Sequence, residues 1–121
     1  MKIVVLIFLG GGLGSVLRYL VGQAFQKTNG TFPLGTFLIN IIGSLLIGIL
    51  LGYFYKNSSD SQHLRALLVL GFCGGFTTFS AFSNEALTLI QQHQYLNALL
   101  YITGSVLLGI TSTFIGYLIV K

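Results

Sequence analysis

The chain has 121 residues, 54% of them hydrophobic and 7% charged, with six Lys or Arg against two acids. That balance excludes a water-soluble domain and describes an all-α membrane protein. The net charge of +4 is spread over the ends of apolar stretches rather than gathered on one face, which sets nucleic acid aside as a partner.

Four apolar stretches follow in chain order, residues 3–25, 34–55, 66–90 and 96–120, and each reaches the roughly 20 residues that cross a bilayer as a helix. The first opens with MKIVVLIFLGG. A lysine before a short apolar run has the look of a signal peptide, but no A-x-A-like cleavage site follows and the apolar stretch runs past Arg18, so it is expected to remain as the first span. Arg18 lies about 15 residues into that helix, roughly 22 Å at 1.5 Å per residue, deep enough to snorkel to the far interface or to draw anions to a pore mouth.

The segment QKTNGTFP, with the only proline, leads into the second span, where Thr36, Asn40 and Ser44 recur every four residues and share one helix face. Ser and Thr hydroxyls can bond back to their own helix, whereas the Asn40 amide needs a partner across an interface or in a polar path. KNSSDSQHLR joins the second span to the third and QQHQY joins the third to the fourth, where Tyr101, Ser105, Gly109 and Ser112 form a second polar stripe. Two stripes of hydrogen-bond donors, with no lysine or arginine in mid-span, suit the stepwise dehydration of a small anion.

Gly10 with Gly14, Gly48 with Gly52 and Gly71 with Gly75 are small-xxx-small pairs on three helices, expected to seat close backbone packing. Close-packing faces in such number point to an oligomer, most simply a dimer. Four spans put Lys2, Lys56, Arg65 and Lys121 on one side, with Lys27 and the end of the helix bearing Arg18 on the other. Charge therefore encodes orientation weakly, and insertion both ways round is expected. The whole chain, 1–121, reads as one integral membrane domain. Cys73 has no second cysteine to pair with, and His63 and His93, read as loop residues, lack metal-like spacing.

The third span carries the anomaly, GFCGGFTTFSAFS at residues 71–83. Gly74 and Gly75 are expected to open the helix, with Thr77, Thr78 and Ser80 capping a new half-helix. Such a break frees carbonyls and amides that survive in lipid only when buried in protein, facing a cavity or bound to an ion. Phe72, Phe76, Phe79 and Phe82 lie on one helical face, and the edges of their rings are electropositive. Glu85, the only acid inside a span, is a candidate for proton coupling or for a hydrogen-bonded structural role.

GGGLGSVLRY, GTFLIN followed by GS, and above all GFCGGFTTFSAFSNE resemble the bacterial Fluc fluoride-channel family, also called CrcB, across all four helices. The resemblance implies a four-helix, antiparallel, dual-topology homodimer in the lipid of the bacterial cytoplasmic membrane, its third helix broken near the middle. Two pores would export fluoride passively and lower its toxicity inside the cell. A structural sodium ion at the two-fold axis is implied, held by the backbone carbonyls of Gly74 and Thr77 from each subunit. The paired pore phenylalanines map to Phe79 and Phe82 with Ser80 beside them, the pore asparagine to Asn40, and the polar track to Tyr101 and Ser105. The next track position, often a hydroxyl residue in the family, is Gly109 here, so Ser112 or Thr113 is expected to substitute. Arg18 falls at a vestibule and Glu85 beside the track.

The competing reading is a small proton-coupled exporter, of fluoride or of cationic drugs, using Glu85. Its cationic-drug form wants a carboxylate on the first helix and aromatic residues that hold a cation. The first span has no acid, and the chain has no tryptophan. A third class is a non-transporting membrane subunit whose polar residues only join helices.

Overall fold

The computed structural model describes residues 1–26, 30–57 and 62–121. Lys27, which the charge count places on the far side, and residues 58–61 of the second connection lie outside the described residues. Five long helical pieces make four spans: α1 (Lys2–Gln26), α2 (Leu34–Lys56), α3 (residues 62–76), α4 (Phe79–Gln91) and α5 (Tyr95–Val120). There is no strand among the described residues. Each span is long and apolar enough to cross a membrane.

The spans associate as two tight pairs, α1 with α3 and α2 with α5, joined by thinner contacts between α1 and α2 and between α4 and α5. Glycine makes both pairs, because lipid gives helices no hydrophobic reason to meet and close backbone approach must supply the attraction. A Cβ on Gly14 would run into the Phe72 carbonyl oxygen of α3, and one on Gly48 would run into the Thr113 carbonyl oxygen of α5. Gly116 meets the Leu45 carbonyl in the same way from the other side of the second seam. Much of the remaining surface is apolar, with Phe8 77% and Ile110 68% exposed, as a lipid-facing wall requires. Tyr101 apart, no polar or charged residue is fully buried among the described ones.

The third span departs from a plain helix twice. Ala66–Cys73 winds as a π-helix, whose wider turn carries the Leu67 carbonyl against Gly10 of α1. The helix then opens at Thr77 and Thr78, whose φ and ψ of −81°, 158° and −150°, 119° are extended. The expected opening at Gly74 and Gly75 is thus corrected by a few residues: Gly74 keeps right-handed helical angles, and Gly75 abuts the Gly11 carbonyl. Gly75 serves packing, whereas β-branched threonines accept the extended backbone and Thr78 caps the next helix. The Phe face is broken at the same point: Phe72 and Phe76 stack at 5.9 Å, but Phe76 is buried while Phe79 is 79% exposed. His63 sits on the first turn of α3 rather than in a loop, and His93 makes the turn before α5 with φ of 58°.

The broken helix and the polar seam

An unbroken helix would send the amides of Thr78, Phe79 and Ala81 to the carbonyls of Gly74, Gly75 and Thr77. The break redirects them. Thr78 N–H donates to Asn40 Oδ1 at 2.8 Å, and Asn40 Nδ2 donates back to the Thr78 carbonyl at 3.0 Å. Ala81 N–H donates to Thr78 Oγ1 at 3.2 Å, an N-cap, and Ser80 Oγ lies 3.3 Å from the same hydroxyl. One asparagine on α2 therefore replaces the helical bond that Thr78 N–H has lost and adds a second bond to the Thr78 carbonyl.

The freed carbonyls divide into two groups. Cys73 keeps its amide partner, Thr77 N–H at 3.0 Å, and gains the Thr77 hydroxyl at 2.9 Å. The Gly75 carbonyl accepts from α1: Arg18 Nε at 3.0 Å and Ser15 Oγ at 3.4 Å. Arg18 thus turns inward to the break, and its reach to the interface is not the whole of its role. Gly74 and Thr77 have lost the amides of Thr78 and Ala81 respectively and gain no such substitute among the described residues. Gly74 is also exposed.

Glu85 joins three helices. Thr36 Oγ1 on α2 donates to its Oε1 at 2.8 Å, and Tyr101 Oη on α5 donates to its Oε2 at 2.7 Å. Tyr101 is fully buried beneath aromatic rings, Phe82 at 5.1 Å, Phe32 at 5.5 Å and Phe37 at 6.4 Å between centroids. Phe82 in turn lies 5.6 Å from Phe79, so the two pore candidates adjoin. One turn beyond Tyr101, Ser105 Oγ is buried without a hydrogen-bond partner among the described residues. A buried hydroxyl in that state costs about 1–3 kcal/mol unless something it can bond comes to it.

Farther along α5 the two expected substitutes for Gly109 differ. Thr113 Oγ1 donates to the Gly109 carbonyl at 3.1 Å, so its donor is spent within its own helix, while Ser112 is half-buried. A side chain at Gly109 would instead meet Ser44 Oγ at 3.6 Å. Ser44 therefore brings a hydroxyl to the level of Gly109 from the neighbouring helix. Its place in the stripe Thr36, Asn40, Ser44 was the signal for it, and Ser15 gave none, since only the break explains why that hydroxyl matters.

Two cavities flank the seam. One of about 380 Å³ is lined by Arg18, Gln23, Thr36, Thr78 and Glu85, and another of about 460 Å³ by Asn40, Ser44, Gly74, Thr77 and Phe79. No cluster of three metal-binding side chains occurs among the described residues.

Four spans, a glycine-packed bundle and a broken helix bonded across to its neighbours define a multi-pass membrane protein with a polar seam between its helices. The family model described as CrcB-like protein, Camphor Resistance (CrcB), matches residues 5–117, and the chain belongs to that family. It is 52% identical to the "Fluoride-specific ion channel FluC" of Flavobacterium psychrophilum, over all of this chain and 98% of that relative. Relatives of the same name from Phocaeicola vulgatus (48%, covering 96% of each chain) and Methylobacterium sp. (44%, 95% of this chain and 93% of the other) are similar over nearly their full lengths. These relatives are named as ion channels, a transporter class and not an enzyme class. The protein is a multi-pass bacterial membrane protein.

Proposed function

We propose that this chain forms a fluoride-selective channel that lets fluoride leave the cell down its electrochemical gradient. The observation that carries the reading is full-length similarity at 44–52% identity to proteins named for that activity. The donor chemistry supports it. Thr36 and Tyr101 have spent their hydroxyl protons on Glu85, so the donors left for an anion include Ser105 and the second N–H of Asn40. Fluoride, small and strongly hydrated, needs such close donors together with the electropositive edges of Phe79 and Phe82.

The working unit in this reading is an antiparallel homodimer of dual topology with two pores. Ser80, Ser83, Asn84 and Leu87 recur at helical spacing on α4 and are all exposed, beside exposed Phe79. A face of that polarity is costly against lipid and is better met by a second copy. Sodium fits the same axis: the carbonyls of Gly74 and Thr77, deprived of their helical amides, would hold it, two from each subunit. When bound, it supplies positive charge that offsets the carbonyl dipoles. Arg18, by occupying the Gly75 carbonyl, keeps that oxygen out of the set.

Fluoride efflux from liposomes holding the purified protein, with chloride as control, tests the proposal. Fast fluoride release without chloride release is expected, and its absence from well-inserted dimers overturns the reading. Glu85→Gln separates channel from exchanger: both Glu85 oxygens accept bonds and join helices, so flux should persist within about tenfold, whereas obligatory proton coupling would abolish it.

A further inference from the structure

The connection between α1 and α2 does more than link them. In its described part, Asn97 Nδ2 of α5 donates to Thr31 Oγ1 at 3.3 Å, and Leu34 N–H donates to the Phe32 carbonyl at 2.8 Å. Those bonds hold both sides of Phe32. Its ring turns into the bundle and meets Phe37 at 5.6 Å and Tyr101 at 5.5 Å, nearly perpendicular to both at 73° and 89°.

On the outer side, Thr31 and Pro33 line the 380 Å³ cavity that contains Arg18, and they also line a third cavity of about 340 Å³ with Glu85, Thr88 and Gln92. Glu85 borders both. Tyr101 and Ser105 border neither, although Tyr101 is bonded to Glu85 and Ser105 lies one turn deeper. The deeper stretch is roofed by rings as well, since a side chain at Gly104 would meet the Phe37 ring at 3.5 Å. Between the cavities and the unpartnered Ser105 hydroxyl stands an aromatic wall, of which Phe32 is the piece contributed by the connection.

We propose that Phe32 is a selectivity-setting residue: its ring stoppers this end of the Tyr101–Ser105 stripe, so that an ion crossing between cavity and stripe must shed water past it. The proposal rests on the anion-channel reading for its purpose, though the seal itself is a matter of access. A phenyl ring held at both flanks admits a small dehydrated ion along its edge and resists a larger one that keeps its hydration shell.

Labelling measures the seal without any flux. In a Cys73→Ala, Ser105→Cys background, a small methanethiosulfonate reagent should modify Cys at 105 slowly when Phe32 is intact. Phe32→Ala should speed that reaction at least about tenfold, and Phe32→Leu, which keeps most of the apolar bulk, by no more than about threefold. The same substitutions in the otherwise native chain report on buried Cys73 as a control for general loosening. In liposomes, Phe32→Ala should raise chloride flux relative to fluoride flux by about tenfold. An unchanged rate at position 105, or equal acceleration at Cys73, overturns the proposal. Accelerated labelling in a protein that passes no fluoride leaves the seal standing and removes the channel reading instead.

Discussion

The two halves of the third span are held by opposite means. Residues 62–76 lie backbone to backbone against α1, with Gly10, Gly14, Gly71 and Gly75 forming the seam, where an added carbon at Gly10, Gly14 or Gly75 would strike backbone. Residues 79–91 present Ser80, Ser83, Asn84 and Leu87 to the outside and are tied inward by Thr78, Glu85 and Phe82. The first half is fixed by shape and the second by a few directed bonds. A fixed half and a bonded half meet at Thr77 and Thr78, which is why the carbonyls of the break have defined positions in a solvent that cannot satisfy them.

The strongest challenge to this contrast is Gly14→Ala. Its new methyl group would collide with the Phe72 carbonyl, which belongs to rigid backbone, so a loss of about 3 kcal/mol or more is expected. Thermal loss of a monodisperse size-exclusion peak would register it. A mild effect would mean that the seam slides, and that shape does not fix the first half.

Next comes Asn40→Ala, which removes two bonds to the Thr78 backbone at once and should cost about 2–4 kcal/mol while abolishing fluoride flux. Asn40→Asp keeps an acceptor for Thr78 N–H but loses the donor to its carbonyl. It should therefore recover part of the stability in the melting assay without recovering flux. Equal stability of the wild type and Asn40→Ala would show that something other than α2 satisfies the break.

Thr78→Ala removes the cap on Ala81 N–H and the weaker contact with Ser80 Oγ, a loss of about 1 kcal/mol, and Thr78→Ser should restore most of it. Smallest of all is Ser83→Ala on the exposed face of α4, whose hydroxyl bonds only to the Phe79 carbonyl of its own helix. In the single chain the change should stay within about 0.5 kcal/mol. A larger effect at high protein concentration, absent on dilution, would locate that face against a second copy.

Much of this was legible in the residues. Four spans follow from apolar length alone, because bilayer thickness sets a minimum that few sequences meet by accident. The glycine pairs announced their seams for a similar reason: only backbone approach rewards small residues at that spacing in lipid. The position of the break was less legible. GFCGGFTTFSAFS holds two kinds of helix-loosening residue, glycines and capping threonines, and propensity alone favours neither. Contact with α1 decided it, by giving Gly75 a packing role and leaving Thr77 and Thr78 to open.

The same division holds for the site. Sequence supplied the polar set, Asn40, Glu85, Tyr101 and Ser105, since each is out of place in an apolar helix unless it has a partner. It could not apportion donors among them, because hydrogen bonds between spans join residues as far apart in sequence as Thr36 and Glu85 or Asn40 and Thr78. Arg18 read as an interfacial charge and proved to bond a carbonyl on another helix. Phe32, in a short connection, carried no periodic signal at all. What the sequence alone determined, then, was composition against the bilayer: how many helices, and which residues need partners there. Only tertiary structure decided who partners whom, because those bonds depend on two helices meeting at one level, and periodicity within a single helix does not contain that information.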